Sequence, residues 1–262
     1  MFLDIDGNKV FTLDFGSGPR TFLALSGWIG NFEDWIATLA PLSRTWRTVV
    51  YDHRGAGETV VQPERISPEA LVDDVFAVMD ALGIERCVLA GFSRGTVTAM
   101  RAVLARPERF DGLMLISGCG EVMPPGAPPR ALIPPSSWPG ASFADHLGWF
   151  ADRCLPEADS AHIRLWGINI LSRSTPEVAD RIFTMQPQEA IDWAARLPGL
   201  NLPTLLVHGE KDAFYPLAAM RYVQSLIPGS RLDVLDGVGH LPGMTRPHDV
   251  AGFIDAYFSS KV

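Results

Sequence analysis

The sequence predicts an α/β fold: a mostly parallel, doubly wound sheet with a helical segment inserted late in the chain. Three observations lead there. Short apolar runs recur along the 262 residues. Helix-like patterns fill the gaps between them. One proline-rich stretch then breaks the alternation. Continuous apolar runs suit strands buried on both faces, as parallel strands are, and strand–helix alternation builds the sheet.

The elements follow in chain order. Lys9–Phe15 alternates polar and apolar residues like a hairpin strand, and "DFGSGPR" supplies turn residues after it. Thr21–Ser26, Thr48–Asp52, Arg86–Phe92, Gly112–Ser117 and Thr204–Gly209 are the buried strands, with Arg231–Gly237 as one more. Ser67–Leu82 is a helix, with Ser67 as N-cap, Pro68 in the first turn and Gly83 at the end. Its apolar stripe is Leu71, Val75, Val78, Met79 and Leu82. Arg94–Arg106 is helical up to Pro107, and Asp249–Ser259 closes the chain. Glu121–Gly140 carries seven prolines, which forbid a regular element. Helical patterns then run to about Leu197 and hold Trp149, Trp166 and Trp193, with Trp138 just before them. So much tryptophan argues for packing, not a disordered loop. The expected division is a core of residues 1–120 and 200–262, with 121–199 inserted as a cap.

Composition narrows the function. A net charge of -8 without long single-sign blocks disfavours nucleic acid and anionic membrane surfaces as partners. Cys87, Cys119 and Cys154 lack metal-site spacing, and an odd count reads as buried thiols in a reducing compartment. Met1–Phe15 has no basic stretch before an apolar one, and no run approaches the ~18–20 residues that span a bilayer. A cytoplasmic protein is expected, with no metal and no cofactor; no GxGxxG or P-loop appears. The oligomeric state is not encoded in any pattern.

The chemistry lies in Gly91-Phe92-Ser93-Arg94-Gly95, between an apolar strand and a helix. A strand turning abruptly into a helix strains the turn residue. Flanking glycines relieve the crowding and leave the hydroxyl exposed above the sheet. The five-residue pattern alone is weak; its correct context on both sides makes it strong.

Here the chain resembles the α/β-hydrolase superfamily over nearly its whole length. The stretches "DFGSGPRTFLALSGWIGNFEDW", "YDHRGAGET" and "DDVFAVMDALGI" are most similar to small bacterial carboxylesterases and 3-oxoadipate enol-lactonase-like proteins. The resemblance implies an α/β-hydrolase fold and a triad in the order serine, acid, histidine. Asp212, after Thr204–Gly209, and His240, after the last strand, match the acid and base positions. A serine hydroxyl needs a base to take its proton, and a carboxylate on the other ring nitrogen orients the histidine. The family's oxyanion hole maps onto the backbone N–H groups of Arg94 and Trp28. Relatives usually read His-Gly where this chain has Ser26-Gly27, which puts the support of that loop in question. They often carry Glu where Thr245 stands.

Other candidates weigh less. Glu121 follows the strand where some relatives carry their acid. His208 reads as a structural histidine at a strand end. His53 lies in a turn where Asp52 and Arg54 brace loops. His146, His162 and His248 read as exposed. The Arg94 side chain has two readings, a bond to a nearby carboxylate or carbonyl, or a contact with a substrate carboxylate. Trp28, Phe92, Trp138, Trp149 and Phe214 are the expected walls of an apolar substrate pocket.

A serine at this position argues against dehalogenase and epoxide-hydrolase branches, which use aspartate. The expected reaction is cleavage of a small-molecule carboxylic ester or lactone through an acyl-enzyme. The alternatives are a hydrolase-fold small-molecule receptor with slow turnover, a C–C hydrolase, and a cofactor-free perhydrolase.

Overall fold

The computed structural model describes residues 1–127 and 133–262. The middle of the proline-rich entry, residues 128–132, lies outside them. The backbone forms an eight-stranded sheet of β1 (Phe2–Ile5), β2 (Asn8–Phe15), β3 (Thr21–Leu25), β4 (Arg47–Tyr51), β5 (Cys87–Phe92), β6 (Phe110–Ile116), β7 (Thr204–Gly209) and β8 (Arg231–Leu235). Their order across the sheet is β1-β2-β4-β3-β5-β6-β7-β8. β1, β2 and β4 pair antiparallel; every other pairing is parallel.

The expected α/β architecture is present. One expectation fails at the start of the chain. The hairpin turn is Asp6-Gly7, where both residues have positive φ, and β1 is its first strand. Asp-Gly suits the type of two-residue turn that matches strand twist. The "DFGSGPR" stretch instead carries the chain from β2 to β3, which do not pair, because β4 lies between them.

The continuous apolar runs are explained by two clusters, one on each face. From β3, Leu23 and Leu25 enter one cluster while Phe22 and Ala24 enter the other. In β6, Leu113 and Leu115 face one way and Met114 and Ile116 the other. The side-chain period of two thus loads both faces. α2 (Pro68–Ala81), α3 (Gly95–Ala105) and α8 (Leu217–Leu226) cover the first face through Val75, Met79, Met100 and Val223. α1 (Glu33–Leu42) and α10 (Pro247–Phe258) cover the second through Trp35, Leu39, Val250 and Ile254. α2 begins as its sequence foretells: Ser67 Oγ accepts the Ala70 N–H at 3.1 Å, and Gly83 beyond its end has φ +64°.

Between β6 and β7 the described residues form α4 (Phe143–Cys154), α5 (Ala161–Leu171), α6 (Pro176–Thr184) and the short α7 (Trp193–Arg196). α4 starts with a capping box, Ser142 with Asp145. Leu147, Phe150, Ile163, Val178 and Ile182 make a third cluster with Trp28 and Met244. Trp193 and Leu197 instead join the core face with Val75 and Met79. A last short helix, α9 (Pro242–Thr245), precedes α10.

The chain runs from β3 outward to β4, then returns to the opposite side of β3 as β5. Open α/β sheets form their crevice at such a reversal, beyond the carboxyl ends of the strands. A buried ion pair fixes the loop after β4 beside it. Arg54 reaches Asp74 of α2 through Nε at 2.7 Å and Nη2 at 2.8 Å, and both side chains are almost wholly enclosed. Removing one partner strands a buried charge. Asp74→Ala is expected to lower unfolding stability by roughly 3–5 kcal/mol. The paired replacement Arg54→Met with Asp74→Leu should lose far less. Chemical denaturation of the two variants makes the comparison, and equal losses would refute it.

Candidate functional site

Ser93 stands at the reversal. Its φ of +51° is unusual for a residue with a side chain, and its surroundings explain both flanking glycines. A Cβ on Gly91 would lie 2.5 Å from the Gly95 carbonyl oxygen; one on Gly95 would lie 2.6 Å from that of Ser26. β5, α3 and the end of β3 therefore approach each other closely only because both are glycine. The turn is tied down by Ser93 N–H donating to Ile116 O at 2.9 Å and Thr96 Oγ1 donating to Ser93 O at 2.6 Å.

His240, from the loop after β8, brings Nε2 to 2.9 Å from Ser93 Oγ. Its Nδ1 lies 2.8 Å from Asp212 Oδ2. An ionised carboxylate only accepts, so Nδ1 carries the hydrogen, and Nε2 accepts from the serine hydroxyl. The other oxygen of Asp212 accepts the N–H groups of Phe214 at 2.7 Å and Tyr215 at 3.0 Å. Burial opposes the charge on Asp212, yet His240, His208 and the Tyr215 N–H hold its carboxyl below the usual range. The His240 ring packs among Phe92, Phe214 and Tyr215. Its backbone N–H donates to Cys154 O at the end of α4, 2.8 Å away.

The loop after β3 closes the other side. A Cβ on Gly27 would lie 2.9 Å from the Ser93 Cβ, so glycine is needed for this approach. Trp28 follows it and lines the cavity above Ser93. Where relatives carry histidine, Ser26 Oγ donates to Asn31 O at 2.6 Å, and His53 Nε2 lies 3.2 Å from Gly27 O. The missing histidine is thus replaced by bracing from Ser26 and His53. Asp52 holds the neighbouring turns by accepting from the N–H groups of Phe32 at 2.7 Å and Glu58 at 2.8 Å.

The remaining candidates fall elsewhere. Glu121 pairs with Arg101 at 3.3 Å. His208 is buried behind Asp212, with Nδ1 3.9 Å from Oδ2, and burial lowers its pKa. His162 and His248 are exposed as expected, but His146 is buried, with Nε2 3.3 Å from Gly140 O. Arg94 extends its Nη2 across to Met185 O, 3.0 Å away. Thr245 Oγ1 donates back to Leu241 O at 3.3 Å. All three cysteines are buried, and Cys154 lines the cavity.

The cavity measures about 40 Å³. Trp28 and Phe92 form part of its wall with Ser93, His240, Leu171 and Met244. Phe214 flanks a neighbouring pocket with Ser93 and His240. Trp138 and Trp149, expected as walls, do not line this cavity, where Phe150 does. α4 presents Phe150, Ala151 and Cys154 to the cavity, and at about 100° per residue Trp149 falls on the opposite side of the helix from the middle of that face. Trp138 stacks on Phe150 from behind at 5.5 Å, and Trp149 packs on Trp138 at 5.1 Å.

Sequence reasoning missed Asp34. It lines the cavity beside Gly30, and its Oδ2 is buried without a hydrogen-bond partner among the described residues. Burial, reinforced by the charge of Asp52 and opposed by the nearby Ser26 hydroxyl, pushes its pKa up to about 8. Among the described residues no group of three His, Cys, Asp or Glu side chains could hold a metal ion, and no helix is long and apolar enough to cross a membrane.

The sign of the Asp34 shift sets a pH dependence. The folded chain keeps this proton where the unfolded chain, with a carboxyl pKa of about 4, has shed it. Stability is therefore lost as pH rises from about 4 to about 8. Asp34→Asn cannot ionise and should remove that loss. Its gain in Tm over the parent protein should be larger at pH about 8.5 than at about 5; equal gains at both would refute the assignment.

Comparison with known proteins agrees with this architecture. A family model described as the alpha/beta hydrolase fold matches residues 20–151. The chain is 26% identical over 255 residues to a pimeloyl-acyl-carrier-protein methyl ester esterase of Aeromonas hydrophila subsp. hydrophila, covering 93% of this chain and 96% of that one. It is also 26% identical over 258 residues to the karrikin insensitive 2 receptor CA of Petunia hybrida, covering 88% and 89%. An esterase structure from Exiguobacterium antarcticum superimposes with a TM-score of 0.87 at 22% identity, covering 98% of both chains, a likeness of fold. The family match spans half of the chain, from β3 through the serine turn and into α4, and the protein belongs to the alpha/beta hydrolase fold family.

Proposed function

We propose that the protein is a serine hydrolase that cleaves small carboxylic esters or lactones through an acyl-enzyme. The observation that carries this reading is the unbroken pair of hydrogen bonds from Ser93 to His240 at 2.9 Å and from His240 to Asp212 at 2.8 Å. Ser93 Oγ attacks the carbonyl carbon while its proton passes to His240 Nε2. Asp212 steadies the imidazolium. The backbone N–H groups of Arg94 and Trp28 receive the developing oxyanion. The C–O bond to the leaving group then breaks, and His240 returns the proton to the departing oxygen. Water attacks the acyl-serine, gives a proton to His240, and the acid leaves as Ser93 recovers its hydrogen.

Substrate selection falls to the apolar wall of Trp28, Phe92, Phe150 and Leu171. The helices α4, α5 and α6, within the expected 121–199 insertion, act as the cap over it. The buried cysteines suit a reducing cytoplasm. The similarity to a karrikin insensitive 2 receptor favours one second reading, a receptor whose intact triad turns over slowly and whose cap relays ligand binding.

The experiment is turnover of p-nitrophenyl acetate and γ-lactones, with intact-mass analysis after treatment with a p-nitrophenyl phosphonate. Ser93→Ala and His240→Ala should each lose at least about a thousandfold in kcat, and the phosphonate should add once, at Ser93. Turnover that survives Ser93→Ala sinks the hydrolase reading. Single-turnover release followed by ligand-dependent stabilisation would favour the receptor.

A further inference from the structure

The first turn of α1 carries two adjacent acids with opposite surroundings. Glu33 accepts the Trp166 indole N–H at 2.6 Å and pairs with Arg173 at 2.5 Å. Asp34, one residue on, lines the cavity that holds Ser93 and His240. Apart from those two reacting groups, the described wall is apolar save for Asp34 and the Cys154 thiol, with Phe92, Phe150, Leu171 and Met244 among its members. Burying a polar atom with no partner is costly, so an unmatched carboxyl oxygen here calls for an explanation.

The backbone makes room for it. A Cβ on Gly30 would lie 2.0 Å from Asp34 Oδ2. Gly30 N–H donates to Gly27 O at 3.1 Å, closing a tight turn. One end of that turn, Gly27, is pressed against Ser93; the other, Gly30, is pressed against Asp34. The ends of such a turn lie within about 7 Å of each other. Ser93 and the unmatched oxygen therefore face one cavity from the two ends of a single turn, within reach of one bound acyl or alcohol chain.

We propose that the Asp34 carboxyl is a substrate-recognition group that donates a hydrogen bond to an oxygen carried a few bonds from the scissile carbonyl. The preferred substrates are then oxo-, ether- or hydroxy-substituted esters or lactones, not plain alkyl ones. This rests on the Ser93 hydrolase reading. Burial favours the neutral acid, with Asp52 adding to the effect, so the group carries the hydrogen that an acceptor needs. A pocket built to hydrogen-bond its substrate discriminates strongly against an analogue lacking that atom, because the polar group is then left unmatched.

The test compares kcat/KM for p-nitrophenyl 4-oxopentanoate and 5-oxohexanoate with their isosteres, the 4-methylpentanoate and 5-methylhexanoate. The parent protein should favour at least one oxo ester over its isostere by about tenfold or more. Asp34→Asn, which keeps a donor, should retain the preference, and Asp34→Leu should abolish it while both esters are still cleaved. If Asp34→Leu does not fold, Asp34→Ala gives the same comparison. Oxo-to-methyl ratios that are equal in the parent protein and in the apolar variant overturn the proposal. Ser93→Ala separates the two levels. Loss of turnover on all four esters in that variant, with flat ratios in the Asp34 series, condemns the role of Asp34 alone. Turnover that persists without Ser93 overturns both.

Discussion

The arrangement above the sheet depends on one strained turn. Ser93 occupies positive φ, a conformation that costs about 1–3 kcal/mol for a residue with a side chain. It is held there by Ile116 on β6, by Thr96 on α3 and by two glycines that let three backbone segments meet. The same crowding places the Gly27 loop against the serine. Relaxing the turn would therefore move the Ser93 hydroxyl, the start of α3 and the loop carrying Trp28 together. Asp212 and His240 come from two other strand ends, and their contribution is to meet a group whose position is already set.

Much of this was legible because each part announces itself locally. Ser93, Asp212 and His240 each follow an apolar run, which puts them at one end of the sheet, and the superfamily resemblance is what singles them out there. α2 carried both its cap and its stop. α1 was less plain: its N-cap Phe32 makes no side-chain capping bond, Asn31 Oδ1 accepts the Glu33 N–H from one residue further back, and Pro41 lies inside its last turn. β1 was hidden because its partner's turn, Asp6-Gly7, was overshadowed by a richer cluster of turn residues downstream. The cavity wall was legible in composition but not in identity. Trp149 and Phe150 are both large aromatics, and only the rotation of α4 about its axis decides which one faces Ser93. Asp34 left no local trace, since an acid in the first turn of a helix ordinarily faces water and complements the dipole. Its inward direction follows from Gly30 and from Glu33 engaging α5, which are facts of tertiary packing.

The segment between β6 and β7 is fastened to the sheet by polar bonds at several places. Trp28 Nε1 donates to Ala179 O at 2.8 Å, Arg94 reaches Met185 O, and Arg181 Nε donates to Ile66 O at 3.0 Å. Glu33 draws in Trp166 and Arg173 from the α5 side. Arg94 thus joins the Ser93 turn to the end of α6 through a carbonyl, one of the two uses its position in the sequence left open.

The bond from His240 N–H to the Cys154 carbonyl bears on how such a protein could diverge. α4 supplies Phe150 to the pocket and, one turn later, a backbone acceptor to the loop of the histidine. An insertion or a helical rotation that swaps the aromatic at the wall would also tilt the imidazole. Changes of ligand preference are therefore freer on α5 and α1, whose residues Leu171 and Asp34 touch the cavity without carrying that loop. On α4, side-chain replacement in place is tolerable, but a shift in register is not. Inheritance of pocket shape and inheritance of reactivity are in this way partly the same trait.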